Sequence, residues 1–140
     1  MSYRRMLAVV AAVILAAPVV HAAEFACASD LPNLGNPPCV ALIGDLVTER
    51  FAKEYTARGF HIVLMADHTS YTAGGASGFA LAGVVPAGAS YPKDPVIMHF
   101  RDARNFDGAA LNDNEKSMLR QSVAALMTKL NVANPPQKRK

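Results

Sequence analysis

Between residues 40 and 58 the chain places apolar residues at every fourth position. Charged residues lie largely outside the resulting stripe, which is formed by Ile43, Val47, Phe51 and Tyr55. This spacing predicts an amphipathic helix over 40–58. Arg58 followed by Gly59 is typical of a helix C-terminus, because a cation offsets the helix dipole and glycine readily adopts the left-handed conformation beyond the end.

Three short apolar segments follow, bounded by glycine and proline. Their β-branched and aromatic residues predict strands over 60–66, 78–85 and 96–101. Further on, Asn112 stands three residues before Glu115, as in a capping box. A final helix is therefore predicted from residue 112 to about residue 131, with an inner face formed by Leu119, Val123, Leu126, Met127 and Leu130.

The predicted order is helix, strand, strand, strand, helix, which indicates an α+β fold. The connections between strands are too short for helical crossovers, so the strands should form a three-stranded antiparallel sheet. Both helices can cover one face of that sheet, and a disulfide-closed loop should precede them. The stretch from Asp102 to Leu111 is predicted to be an irregular connector.

Side chains alternate between the two faces of a sheet, so the bulkier set of each strand should meet the helices. That set is Phe60, Ile62, Leu64, Phe79, Leu81, Val85, Val96, Met98 and Phe100. The opposite set is apolar but shallow, and it comprises His61, Val63, Met65, Ala80, Ala82, Val84, Ile97 and His99. The second face is the candidate binding surface, unless residues 69–78 or the disulfide-closed loop fold over it.

The N-terminus has the three parts of a cleavable secretory signal peptide: a basic start, an uncharged apolar run over 7–20, and small residues before a cut after Ala22. The apolar run is shorter than the ~20 residues that a membrane-spanning helix needs. We therefore expect a periplasmic or, alternatively, a secreted protein without stable membrane insertion after cleavage. The expected organisation is a signal peptide over 1–22, a Pro/Gly-rich loop over 23–39, one α+β domain over 40–131 and a disordered basic tail over 132–140.

The chain contains two cysteines, Cys27 and Cys39. In an oxidising compartment such a pair predicts a disulfide, and closing a ring of this size is worth about 3 kcal/mol. The enclosed residues are rich in turn formers and show neither strand nor helix periodicity. A redox-active pair would have only two residues between its cysteines, so a structural disulfide is the favoured interpretation.

The net charge of +3 does not indicate nucleic-acid binding, because the basic residues stand at the two ends. Arg4 and Arg5 contribute two positive charges and would leave with the signal peptide. Lys138, Arg139 and Lys140 contribute three more, so residues 23–137 sum to −2. A nucleic-acid partner is therefore not expected.

The uncharged stretch over 69–92 contains a glycine-rich segment. It lacks the ending of a P-loop and the spacing of a dinucleotide fingerprint, and it precedes a strand instead of a helix. The candidate is a contact loop that includes Gly74, Gly75, Ser77 and Gly78. The sequence around Ser77 also lacks the final glycine of a nucleophile elbow, so it does not indicate a serine hydrolase.

Three histidines lie beyond the predicted cut: His61, His68 and His99. A zinc site needs three or four ligands around one ion, and nothing in the histidine spacing enforces such a cluster. We therefore expect no metal and no other cofactor, and the three histidines are weak candidates for a metal site.

These features favour an exported, non-catalytic binding or assembly module. It would recognise a protein or another envelope component through the second sheet face and the glycine-rich loop, and its partner would be a different protein or a second copy of the chain. The alternative is a small secreted hydrolase or metal-binding protein that uses His61, His68 or His99. No residue is assigned a catalytic role.

Overall fold

The computed structural model describes residues 23–102 and 107–135. Within these residues lie β1 Cys27–Asp30, α1 Cys39–Ile43, α2 Glu49–Glu54, β2 Phe60–Ser70, β3 Ala76–Pro86, β4 Val96–Asp102 and α3 Gly108–Lys129. Two 3-10 turns occur, at Pro32–Leu34 and Thr56–Arg58. The α+β class is as predicted. The predicted signal peptide over 1–22 and residues 136–140 of the predicted tail lie outside the described residues.

The sheet has four strands in the order β1-β2-β3-β4, so the prediction of three antiparallel strands was wrong. The additional strand, β1, lies in the cysteine-closed loop and runs parallel to β2, while the other pairs are antiparallel. A parallel neighbour needs a long connection, and the segment that contains α1 and α2 supplies it. With only four residues, β1 has too short a pattern to be recognised.

The predicted helix over 40–58 is three separate helical pieces. Thr48 interrupts it, because its Oγ1 accepts a hydrogen bond from the backbone N–H of Phe51 at 3.1 Å and caps a new helix, α2. The apolar stripe itself was predicted correctly, since Ile43, Val47 and Phe51 are buried. Periodicity identified the inward residues but not the break between them.

Helix α3 begins before the predicted capping box. Asp107 is its N-cap, and the Asp107 carboxylate accepts a hydrogen bond from the Ala110 N–H at 2.7 Å. Asn112 therefore lies inside the helix, and residues 108–111 are helical, although an irregular connector was predicted there. The predicted inner face is correct: Leu119, Val123, Leu126 and Met127 are buried, and Leu130 is partly buried against the core.

The two faces of β3 are exchanged relative to the prediction. In the register, Ala80 pairs with Ala66 and Ala82 with Leu64, so Ala80, Ala82 and Val84 face the helices. The reason is close packing: Ser122 Oγ of α3 donates a hydrogen bond to the Ala80 carbonyl oxygen at 3.3 Å. Small side chains allow this approach, and the bulkier Phe79, Leu81 and Val85 point to the other face.

The predicted disulfide between Cys27 and Cys39 is present, with Cα atoms 6.2 Å apart. It ties β1 to the first residue of α1. The enclosed ring also contributes to the core through Leu31, which is fully buried. In the part of the chain that the structure describes, no helix combines the length and apolar character needed to cross a membrane.

Candidate functional site

The sheet face opposite α3 carries an apolar cluster that crosses three strands. The register places Met65, Leu81 and Ile97 side by side on β2, β3 and β4, and Phe79 lies in the next row. Ile97 is 46% exposed, and the other three are partly exposed. We call Met65, Phe79, Leu81 and Ile97 the open-face patch.

One end of this face is covered by the connection between β3 and β4, residues 87–95. Pro92 packs directly on Gly83, where an added Cβ would lie 2.3 Å from the proline Cβ. Val63 and Val85 are buried at this end. The covering segment is neither residues 69–78 nor the disulfide-closed loop, the two that the sequence suggested. It is the connection between the end of β3 at Pro86 and the start of β4 at Val96.

The structure thus divides the predicted binding face. His61, Val63, Met65, Ile97 and His99 do lie opposite the helices, whereas Ala80 and Ala82 are in the core, 0% exposed, and Val84 packs against it. Their places on the open face are taken by Phe79, Leu81 and Val85. Alternation along β3 was correct, but side-chain bulk did not indicate which set faces inward.

The glycine-rich segment forms the tight turn of the hairpin between β2 and β3. Gly74 and Gly75 have φ angles of 93° and 92°, which favour glycine. The Tyr71 N–H donates a hydrogen bond to the Gly75 carbonyl oxygen at 3.0 Å. Ser77 and Gly78 belong to β3 itself, so a separate contact loop would comprise only the turn at residues 71–75.

A polar depression of about 420 Å³ adjoins the open-face patch. Its rims are two rows of open-face side chains: Asp67, Phe79 and His99, and then Thr69, Ser77 and Arg101. Asp67 already accepts hydrogen bonds from the Asn33 side chain and the His68 N–H, both at 2.8 Å. Neither Arg101 nor the exposed Asp67 forms an ion pair with any described residue, so the rim carries one charge of each sign, Arg101 on β4 and Asp67 on β2.

The three candidate histidines do not converge. His61 pairs with Val85 and His99 with Phe79, which places them about 20 Å apart along the sheet. His68 points to the opposite face. Among the residues that the structure describes, no group of three or more His, Cys, Asp or Glu side chains is arranged to hold a metal ion.

His68 instead belongs to a buried polar cluster that the sequence did not predict. Its Nδ1 forms a short hydrogen bond with Oε2 of Glu115, whose side chain is 1% exposed. The Asn33 amide donates to the same carboxylate oxygen at 3.3 Å and to Asp67 at 2.8 Å. The cluster therefore links the disulfide ring, the end of β2 and α3.

The hydrogen bonds of this cluster connect segments that are distant in the sequence. Among the described residues Glu115 Oε1 is buried without a hydrogen-bond partner, and Ser77 lies on the other sheet face from His68 and Glu115. A sequence signal did exist. Glu115 stands four residues after Leu111 and four before Leu119, on the inward stripe of α3, where an acid requires a buried partner.

Comparison with protein-family models, with curated proteins and with solved structures returned no match.

Proposed function

We propose that this protein is an exported, non-catalytic binding module whose open sheet face recognises a partner protein. The observation that carries the proposal is the open-face patch: four apolar side chains contiguous across three strands, on a face that none of the described helices covers. A clustered apolar surface with a polar rim is typical of protein interaction sites. The disulfide between Cys27 and Cys39 is compatible with export to the periplasm or, alternatively, with secretion.

The charges beside the patch indicate the chemistry of the partner. Arg101 on the β4 side forms no ion pair with a described acid. The exposed carboxylates of Asp30 and Asp67 lie on the opposite side of the patch, on β1 and β2. We expect the partner to place an acidic side chain opposite Arg101 and apolar side chains over Leu81 and Ile97. Electrostatic complementarity of this kind favours correct partners over incorrect ones.

The test is a substitution in the patch with a matched control. Ile97→Asp should weaken partner binding by about 30-fold or more, because it places a charge at the centre of an apolar contact. Val40→Asp is the control, since Val40 is 61% exposed on α1, outside the open face. Partners would be captured from the native host with tagged protein, and affinity would then be measured with the purified pair.

Loss of binding in Ile97→Asp with retention in Val40→Asp would support the proposal. Equal binding by both variants would exclude the patch as the contact. Light scattering on the protein alone tests whether a second copy of the chain occupies the face. A wild-type dimer that becomes a monomer in Ile97→Asp would assign the face to self-association instead of a different protein.

A further inference from the structure

A second cavity, of about 450 Å³, lies on the helix side of the sheet, at the C-terminal end of α3. Its walls are mostly apolar and aromatic, and they include Tyr55, Phe60, Val84, Tyr91, Leu126 and Leu130. The volume lies within the range of small-molecule sites, roughly 300–1,000 Å³. This cavity is separate from the open-face patch, with which it shares no residue.

The cavity follows from a difference in strand length. β4 begins at Val96, which pairs with Ala82, so residues 83–86 of β3 have no strand paired with them on the β4 side. The connection over 87–95 passes around this gap without filling it. It is held at both ends, because the Ala87 N–H donates to the Gly59 carbonyl oxygen at 2.9 Å and Lys129 Nζ contacts the Asp94 carboxylate at 2.5 Å.

The charged residues at the cavity carry a net positive charge. Lys129 is paired with Asp94, which accepts from Lys129 Nζ through its carbonyl oxygen as well, at 3.2 Å. Lys93 is exposed and forms no ion pair with a described residue. The C-terminal end of a helix disfavours an anion, so an acidic ligand group should lie beside Lys93 and away from Leu130.

We propose that this cavity binds a small amphipathic carboxylate. The apolar body of the ligand packs on Phe60, Val84 and Leu130, and its carboxylate lies beside Lys93. The proposal does not depend on the open-face patch, and either can fail without the other.

The probes are anilinonaphthalene sulfonate, an apolar fluorophore with one acidic group, and the ten-carbon pair decanoate and decanol. Fluorescence titration of the purified, disulfide-bonded protein should show one probe bound per chain and full displacement by decanoate. Decanol should displace it about fivefold less well, because it lacks the charge that faces Lys93. Absence of displacement by decanoate would overturn the proposal, and equal displacement by decanol would overturn the role of the charge.

Substitutions locate the bound probe. Leu130→Trp should fill the cavity and reduce the affinity for anilinonaphthalene sulfonate at least tenfold. Leu46→Trp changes another partly buried leucine, outside the cavity, and should leave that affinity unchanged. Lys93→Glu, at an exposed position that does not threaten folding, should weaken decanoate about fivefold and decanol little. Ile97→Asp should bind anilinonaphthalene sulfonate, decanoate and decanol as the wild type does. Unchanged affinity in Leu130→Trp and Lys93→Glu would place the probe elsewhere and exclude this cavity.

Discussion

Arg120 connects α3 to the turn after α1 through three hydrogen bonds. Its guanidinium donates to both carboxylate oxygens of Asp45, at 2.8 and 2.7 Å, and to the Leu42 carbonyl oxygen at 2.8 Å. The Arg120 hydrogen bond holds the pKa of Asp45 below its ordinary value of 3.8, and the same contact raises the pKa of Arg120. Such a pair stabilises the fold only while Asp45 is ionised.

Asp45→Asn should therefore show a pH-dependent loss of stability. A lowered carboxyl pKa contributes stability that is present above the ordinary pKa of 3.8 and disappears as pH falls through the lower folded value. At neutral pH the loss should be at most about 1 kcal/mol, because both side chains are largely exposed to solvent. Urea unfolding of both proteins across pH would measure it, and a difference that persists undiminished at the lowest pH would contradict the assignment.

Residue-level prediction from sequence succeeded for the disulfide and for the inward stripes, and it failed at Glu115. Clustered apolar residues are usually buried, and two cysteines in one small domain can form a disulfide with each other, so both outcomes were predictable. A buried acid depends on partners from distant segments, here Asn33 and His68. No local pattern reveals that these three residues meet.

At the scale of elements, the His68–Glu115 contact joins β2 to α3 at positions that are otherwise apolar. Glu115→Leu should destabilise the protein by about 3 kcal/mol, because it leaves the largely buried His68 without its hydrogen-bond partner, whereas Asn33 keeps its bond to Asp67. Combining His68→Leu with Glu115→Leu should recover part of the loss, since a buried polar pair replaced by apolar side chains is often nearly neutral. Chemical denaturation of the two single variants and the double variant measures the coupling, and strictly additive losses would argue against it.

The positions of the strands were predicted well, but the direction in which the side chains of β3 point was not. All three predicted strands exist, each longer at one or both ends than expected. The faces of β2 and β4 were correct, but β3 was reversed, because α3 packs closely enough to require Ala80 and Ala82 beneath it. Helix approach distance is a tertiary property, so bulk along one strand cannot determine it. The open-face patch was half predicted for the same reason.

At the scale of the whole molecule, the disulfide ring contains the edge strand β1, which pairs with β2, and it supplies the buried Leu31 and the partly buried Asn33. Reduction should lower the free energy of unfolding by about 3 kcal/mol, the loop-closure value for a ring of this size. Urea unfolding with and without a reductant measures this difference. The variant that combines Cys27→Ser and Cys39→Ser should match the reduced protein and be insensitive to reductant, and equal stability of oxidised and reduced wild type would contradict the prediction.

The sheet topology was predicted only in part. The meander from β2 to β4 follows from short connections, whereas the parallel β1 pairs with β2 from Ile62 to Met65, far along the chain from its own four residues. Pairing of this kind depends on loop closure and not on local preference. Sequence periodicity therefore predicted the antiparallel strands β2, β3 and β4 but not the parallel edge strand β1.

The position of α3 at the end of the described fold has a consequence for the order in which the chain can fold. A chain that emerges with its N-terminus first can assemble β1 to β4 before α3 becomes available, yet α3 supplies most of the cover for Ala80, Ala82 and Leu64. Until then the sheet has two apolar sides. A sheet in this state is prone to aggregation, so we expect the nascent chain to require shielding by chaperones in the interval before α3 packs over the core.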